Sequence, residues 1–265
     1  MSDSISVVLP AYNEEENIEL AVRTALEVLS KLRPTYEVIV VDDGSEDQTG
    51  AIAEALAHED DGHVRVFHHQ GNHGYGAALR TGLTSARYDL VFYTDSDLQF
   101  DISELKYFLP LMGAYDVAVG FRVYRYDSVI RCILSWCYNR LVSILFRVRV
   151  RDIDCAFKLF RREVLERIDI ECNDFFVDTE LIAKARHWGF RIIQKGVRHY
   201  PRMAGHTTVR PSDIPRTLRT VARMWIRIHF PRKDKKVTHP LASIRTKSEL
   251  DRAEGSHSLT PSGKA

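Results

Sequence analysis

The sequence predicts an α/β domain: a mostly parallel sheet flanked by helices. Three observations carry this. Short apolar, β-branched runs recur along the first half of the chain; helical periods lie between them; and each run ends in polar residues or glycine. Strand signals that alternate with helix signals require crossover connections, and crossovers give parallel pairing.

The elements follow in order. SISVVLP is a short β-branched run that stops at Pro10. Residues 14–31 set Ile18, Val22, Ala25, Leu26 and Leu29 at helical spacing. YEVIVVDD is apolar without a break until its two aspartates, as expected of a strand buried on both faces. Residues 47–58 read as a helix, VRVFHH as a third strand, 75–86 as a helix entered through a glycine-punctuated turn, and DLVFYTD as a fourth strand. The second half gives a short helix over 102–111, the strand DVAVGF, a long amphipathic helix over 127–147, and the strand FKLF. Helices over 161–167 and 179–188, two short strands RIIQ and VRHY, and a helical period over 214–230 complete it. From 237 to 265 the chain is polar and is expected to be disordered.

The net charge of +1 conceals an asymmetry. Residues 1–110 hold 7 Lys/Arg against 20 Asp/Glu, and residues 111–265 hold 30 against 16. An acidic half suits a cation; a basic half suits phosphate or an anionic membrane face. The four cysteines form no CxxC pair and read as reduced thiols of a cytosolic protein. The start ISVVLP is too short for a signal peptide, and no apolar run reaches the ~20 residues that span a bilayer.

Ligands of open α/β sheets sit beyond the carboxyl ends of the strands. Four loops qualify: PAYNEE, VDDGSED, QGNHGYGAALRTG and DSDLQ. In the second, Asp42 and Asp43 could cap a helix or accept hydrogen bonds from a base or a ribose. The third carries Gly71, Gly74 and Gly76 ahead of a helix, which reads either as a tight turn or as an anion cradle. In the fourth, Asp95 and Asp97 point the same way if the backbone stays extended, and could cap a turn or hold a divalent ion; Asp101 reads as the cap of the helix that follows.

PAYNEEENI, VVDDGSEDQT, GNHGYGAALRTGL, DSDLQFD and GFR, in this order and spacing, resemble glycosyltransferase family 2 with its GT-A fold. RDIDCAFKLFRREVL, FFVDTEL and HYPRMAGHTTV resemble later motifs of polyprenyl-phosphate sugar synthases, the group that includes dolichyl-phosphate mannose synthase. The resemblance implies a GT-A domain over 1–236, with a nucleotide-sugar part over about 1–125 and an acceptor part over about 126–236 that ends in amphipathic helices. It implies that Pro10, Tyr12, Glu14, Val41 and Asp43 hold the base and ribose. Asp95, Ser96, Asp97 and Gln99 would surround the diphosphate and a Mg²⁺ or Mn²⁺ ion, with Asp95, Asp97 and Gln99 as its ligands. Arg122 and Arg202 would contact phosphates, Arg131 would help bind the acceptor phosphate, and Asp154 and Glu180 would lie near the sugar and acceptor. Asp97, Arg122, Asp154, Glu180 and Arg202 are the implied catalytic set. One departure stands out: Thr208 occupies a position where the family often has lysine.

The implied reaction is transfer of a hexose, mannose or glucose, from a nucleoside-diphosphate sugar such as GDP-mannose or UDP-glucose to a polyprenyl phosphate, with inversion. A phosphate monoester is already a nucleophile near neutral pH and needs cations to place it, whereas a hydroxyl acceptor, the alternative, needs a carboxylate base. Residues 210–236 hold nine Lys/Arg and two Asp/Glu, with Ile214, Leu218, Val221, Trp225 and Ile228 on one helical stripe. Such a helix suits the surface of an anionic membrane, so a cytoplasmic protein attached peripherally to the inner face of the cell membrane is expected. No nucleic-acid module is recognised, and no nucleic-acid partner is expected.

Overall fold

The computed structural model describes residues 4–124, 129–201 and 214–229. The tail over 237–265 and the positions of Arg202, Thr208 and Arg210 lie outside them; Arg131 lies on a described helix, but its side chain lies outside the described set.

Seven strands form one sheet: β1 (Ser4–Ala11), β2 (Thr35–Asp42), β3 (Val64–His68), β4 (Leu90–Thr94), β5 (Val117–Arg122), β6 (Phe157–Arg161) and β7 (Ile192–Val197). Their spatial order is β3-β2-β1-β4-β6-β5-β7. Pairing is parallel for β1–β2, β2–β3, β1–β4 and β5–β7, and antiparallel where β6 meets β4 and β5. The expected mostly parallel sheet is therefore present, with one reversed strand.

Helices α1 (Ile18–Leu32), α2 (Thr49–Glu59) and α3 (Tyr75–Ser85) are the crossovers of the first half. The second half carries α4 (Val129–Phe146), α5 (Arg162–Arg167), α6 (Val177–His187) and α7 (Ile214–His229). Alternate strand residues feed two apolar layers. Val8, Ile39, Val41 and Tyr93 pack with Leu79 of α3, Val142 of α4 and Leu181 of α6 on one face. Val7, Leu9, Val38, Val40 and Phe92 pack with Ile18 and Leu29 of α1 and Leu56 of α2 on the other. Each fully buried Val, Leu or Ile side chain contributes about 1.5–3 kcal/mol, so the unbroken apolar strands are what the two-sided burial requires. Gly82 lets α3 lie close on the sheet: a Cβ there would overlap Val8 and reach Val41 at 3.2 Å.

The expected short helix over 102–111 is present as two 3₁₀ segments, Ile102–Tyr107 and Leu109–Gly113. Two local expectations are corrected. RIIQ and VRHY are not two strands: β7 ends at Val197, and His199 makes an isolated bridge to Phe100. DSDLQ is a turn rather than extended backbone, with Leu98 at φ 59. Asp101 does cap, accepting from Ser103 N.

In α7, Val221, Met224 and Ile228 are buried while Arg223, Ile226 and Arg227 are exposed, as the sequence period requires. Among the described residues no helix is long and apolar enough to cross a membrane.

Candidate active site

From β1 the chain moves outward to β2 and β3, then returns to place β4 on the other side of β1. The crevice at the carboxyl ends of β1 and β4 is the switch point where such sheets bind ligands. All four predicted loops open there and are tied to one another. Asn13 N donates to Ser45 Oγ at 3.0 Å, and Glu46 N donates back to Asn13 Oδ1 at 2.9 Å. Glu14 N donates to Thr49 Oγ1 at 2.8 Å. Ser96 Oγ donates to the carbonyl of Pro10 at 2.9 Å, which joins the fourth loop to the first. Pro10 and Val41 are buried, Glu14 is half-buried, and Tyr12 is exposed at the rim.

The paired aspartates of the second loop take different work. Asp42 accepts from Ser45 N and meets His68 Nδ1 at 2.9 Å. It does not cap α2, where Asp47 accepts from Thr49 N instead. Asp43 is buried and accepts from His73 N at 3.0 Å and Gly74 N at 2.8 Å, with His69 Nδ1 at 2.6 Å. It thereby holds the third loop at the start of α3. Gly74 has φ 97, and a Cβ on it would overlap the carbonyl of Asn173. Glycine is thus required both by conformation and by the close approach of residues 170–176.

The third loop in turn sets the fourth. Tyr75, the first residue of α3, donates its hydroxyl to Asp95 Oδ1 at 2.9 Å. Ser96 and Asp97 are buried, and Asp97 Oδ1 accepts from Gln99 N at 3.1 Å. The Gln99 amide nitrogen donates to Tyr200 O at 3.1 Å. Burial pushes the Asp95 carboxyl up to about 8, helped by the charge of Asp97 and opposed by the Tyr75 hydrogen bond. Asp95 and Asp97 offer oxygen donors only, and the charge of Asp97 reaches Asp95. That donor chemistry fits Mg²⁺ or Mn²⁺ finished by a diphosphate. Among the described residues no group of three or more His, Cys, Asp or Glu forms a closed cage.

Beside this lies the second half's contribution. Arg122, at the end of β5, forms a two-point ion pair with buried Asp152: Nε to Oδ2 at 2.6 Å and Nη2 to Oδ1 at 2.8 Å. These two residues, with Phe121, Val123, Trp136, Asn139 and Arg151, line a cavity of about 500 Å³. Arg151 stacks over the Phe121 ring at 4.9 Å. Asp154 is exposed, set among the carboxylates of this half; desolvation and the charges of Asp178 and Asp152 push its carboxyl up to about 7.

Glu180 is placed differently. It is fully buried in α6, and its oxygens accept from Glu171 N and Cys172 N and pair with Lys184 at 2.7 Å. The structure does not turn it toward the crevice. The acid of FFVDTEL that joins the crevice network is Asp178, which accepts from the Tyr93 hydroxyl and pairs with the buried ammonium of Lys158. Sequence reasoning missed Asp178, Lys158, Tyr75 and Asp152. The signal for Lys158 was available: a lysine inside the apolar strand FKLF must find an acid.

The sequence profile of Glycosyl transferase family 2 matches residues 6–169. The chain belongs to glycosyl transferase family 2. The polyprenol monophosphomannose synthase of Mycolicibacterium smegmatis is 31% identical over 233 residues, covering 83% of this chain and 86% of that one. Glycosyltransferase AglD of Haloferax volcanii is 40% identical over 209 residues, 75% of this chain, yet the match spans only 33% of AglD. The match to a dodecaprenyl-phosphate galacturonate synthase of Rhizobium johnstonii likewise spans half of that protein, at 30% identity over 63% of this chain. Among solved structures, glucosyl-3-phosphoglycerate synthase from Mycobacterium tuberculosis, crystallised with Mn²⁺, UDP and phosphoglyceric acid, superposes with a TM-score of 0.63 at 24% identity, covering 87% of this chain and 80% of that one. This likeness shows the GT-A-like fold expected of a family 2 member.

Proposed function

We propose that the protein is an inverting glycosyltransferase that moves a hexose from a nucleoside-diphosphate sugar, GDP-mannose or UDP-glucose, to a polyprenyl phosphate. The observation that carries the acceptor is the 500 Å³ cavity. Arg122 and Arg151 supply charge, while Phe121, Val123 and Trp136 supply apolar walls, and Tyr124 is exposed beside them. A cationic floor with an aromatic rim suits an anionic head on an apolar chain. The names of the relatives from Mycolicibacterium smegmatis and Rhizobium johnstonii, a polyprenol monophosphomannose synthase and a dodecaprenyl-phosphate galacturonate synthase, support the same acceptor class.

In this reading residues 1–125 bind the donor, with Tyr12, Glu14, Val41 and Asp43 around base and ribose. Residues 126–236 bind the acceptor together with Phe121, Arg122 and Val123 at the boundary, and Arg131 and Arg202 complete its phosphate site. Asp152 holds two of the Arg122 nitrogens, so the guanidinium is fixed before substrate arrives and keeps an edge for phosphate. Asp95, Asp97 and Gln99 would hold Mg²⁺ or Mn²⁺, which supplies charge stabilisation at the departing diphosphate. The acceptor phosphate is largely dianionic near pH 7, because its second pKa is about 6, and its oxygen attacks the anomeric carbon unaided by a strong base. The carbon–oxygen bond to the diphosphate breaks on the opposite face, which gives inversion. Asp154, with its carboxyl held near 7, can hydrogen-bond a sugar hydroxyl as either donor or acceptor. The basic face of α7 would rest on the anionic inner face of the cell membrane.

A donor panel supplied with undecaprenyl phosphate and Mg²⁺ or Mn²⁺ tests this. Lipid-linked hexose phosphate is expected. Product formed only on a water-soluble hydroxyl acceptor overturns the lipid reading.

A further inference from the structure

We infer that the protein has a second anion pocket, at the far ends of α4 and α6, that takes the phosphate headgroup of an anionic phospholipid. The inference deepens the membrane contact proposed above and does not depend on the sugar or acceptor assignment. Phe146, Arg147, Ala183, Arg186, His187 and Ile228 line a cavity of about 440 Å³. It shares no residue with the Arg122 cavity. On α6 it lies nine residues beyond Asp178 at His187, roughly 13 Å along the axis; on α4 it lies ten residues beyond Trp136 at Phe146, roughly 15 Å.

Its chemistry is one-sided. Half of the lining is cationic or a nitrogen donor and none is acidic. Arg147, Arg186 and His187 are exposed, and none makes an ion pair with another described residue. The acids on α6 are already engaged: Asp178 with Lys158, Glu180 with Lys184. Glu171 pairs with Arg227 of α7. The other half of the lining is apolar, with Phe146, Ala183 and Ile228 as a buried floor.

Cations at helix ends also suit the helix dipole, so charge alone is not decisive. Arg147 adds an independent observation. It stands just past α4 with φ 53, the left-handed conformation in which helices usually place glycine. A cationic side chain stands at this left-handed position and lines the pocket. Guanidinium groups match phosphate oxygens in two-point geometry. The exposed Arg223 and Ile226 of α7, whose Ile228 lines the pocket, continue the basic and apolar surface. A headgroup with acyl chains therefore fits better than a soluble phosphate.

The test is sedimentation of the full chain with vesicles of mixed phosphatidylglycerol and phosphatidylcholine, compared with pure phosphatidylcholine. Arg147→Gly/Arg186→Gln removes two charges while relieving the left-handed strain, so the fold should survive. A loss of affinity on the order of tenfold or more is expected, with donor hydrolysis unchanged. Lys106→Gln/Lys195→Gln removes the same charge elsewhere and should have a smaller effect. Equal losses from the two pairs, or no loss from the first, overturn the pocket while leaving membrane contact standing. Absence of wild-type binding to any vesicle overturns both. Stabilisation by inorganic phosphate that the first pair abolishes, without vesicle binding, overturns the lipid assignment in favour of a soluble anion.

Discussion

Lys158 and Asp178 form an ion pair sealed from solvent beneath the crevice: the lysine is fully buried and the aspartate nearly so. Lys158 also donates to the carbonyl of Cys155 at 2.8 Å, and Asp178 accepts from Tyr93 at the end of β4. The pair therefore fixes strand β6, helix α6 and the residue two before Asp95 against one another.

Removing one partner strands the other in a medium that cannot solvate it. Lys158→Met should destabilise the fold by about 3–5 kcal/mol. Lys158→Met/Asp178→Asn should recover much of this, because the amide oxygen can still accept from Tyr93. Denaturant unfolding of the single and double variants checks it; equal losses would show that the ion pair is not the cause.

Asp97 is predicted to matter for turnover and not for folding. Asp97→Asn keeps an oxygen for Gln99 N and removes a negative charge beside Asp95. Turnover should fall by about a hundredfold or more, the scale of losing one well-placed electrostatic group. The melting temperature should hold or rise. A variant with wild-type turnover would remove Asp97 from the diphosphate site.

How much of this could be read from the sequence depends on how many contacts decide each feature. β1, β2 and β4 are buried on both faces, so their unbroken apolar runs declare them and their polar ends declare the crevice. The direction of β6 is set by its neighbours, and FKLF has the same pattern either way. In FFVDTEL the two acids stand two residues apart on a helix, roughly 200° around its axis, so they serve different surroundings. Nothing local says which. Only the partners, Lys158 for Asp178 and the 171–172 backbone for Glu180, separate them. Arg122 stood out in the sequence as a cation at the end of a strand, while its anchor Asp152, thirty residues on, did not.

Glu180 is expected to act on the donor site through the loop it holds. It fixes Glu171 and Cys172; in the next residue, Asn173 O accepts from Gly76 N at 2.9 Å, and Phe175 stacks on Tyr75 at 5.3 Å. Tyr75 then holds Asp95. Glu180→Gln should raise the donor KM several-fold with a smaller change in kcat, and should speed proteolysis within 170–176. A fall in kcat alone, with the loop still protected, would assign Glu180 to the chemistry instead.

The last prediction concerns pH. His68, at the end of β3, lies between Asp42 at 2.9 Å and Glu54 at 2.8 Å. The hydrogen bond to Asp42 raises its pKa above the ordinary 6.5, against desolvation and with help from Glu54. The folded chain thus holds a proton that the unfolded chain releases. The stability from this cluster should be complete just below pH 6.5 and lost as pH climbs through the raised value. Asp42 sets the acid limit. Burial alone would raise its carboxyl, but hydrogen bonds from His68 and Ser45 outweigh that and lower it. Its contribution is present above about 3.8 and lost as pH falls through the lowered value. His68→Gln should flatten the slope of melting temperature against pH above 6.5 and, by taking one hydrogen bond from Asp42, weaken the stability lost on the acid side as well. Because the His68 side chain is partly exposed, added salt should shrink the wild-type slope as well. An unchanged slope in the variant would mean that another group titrates in that window.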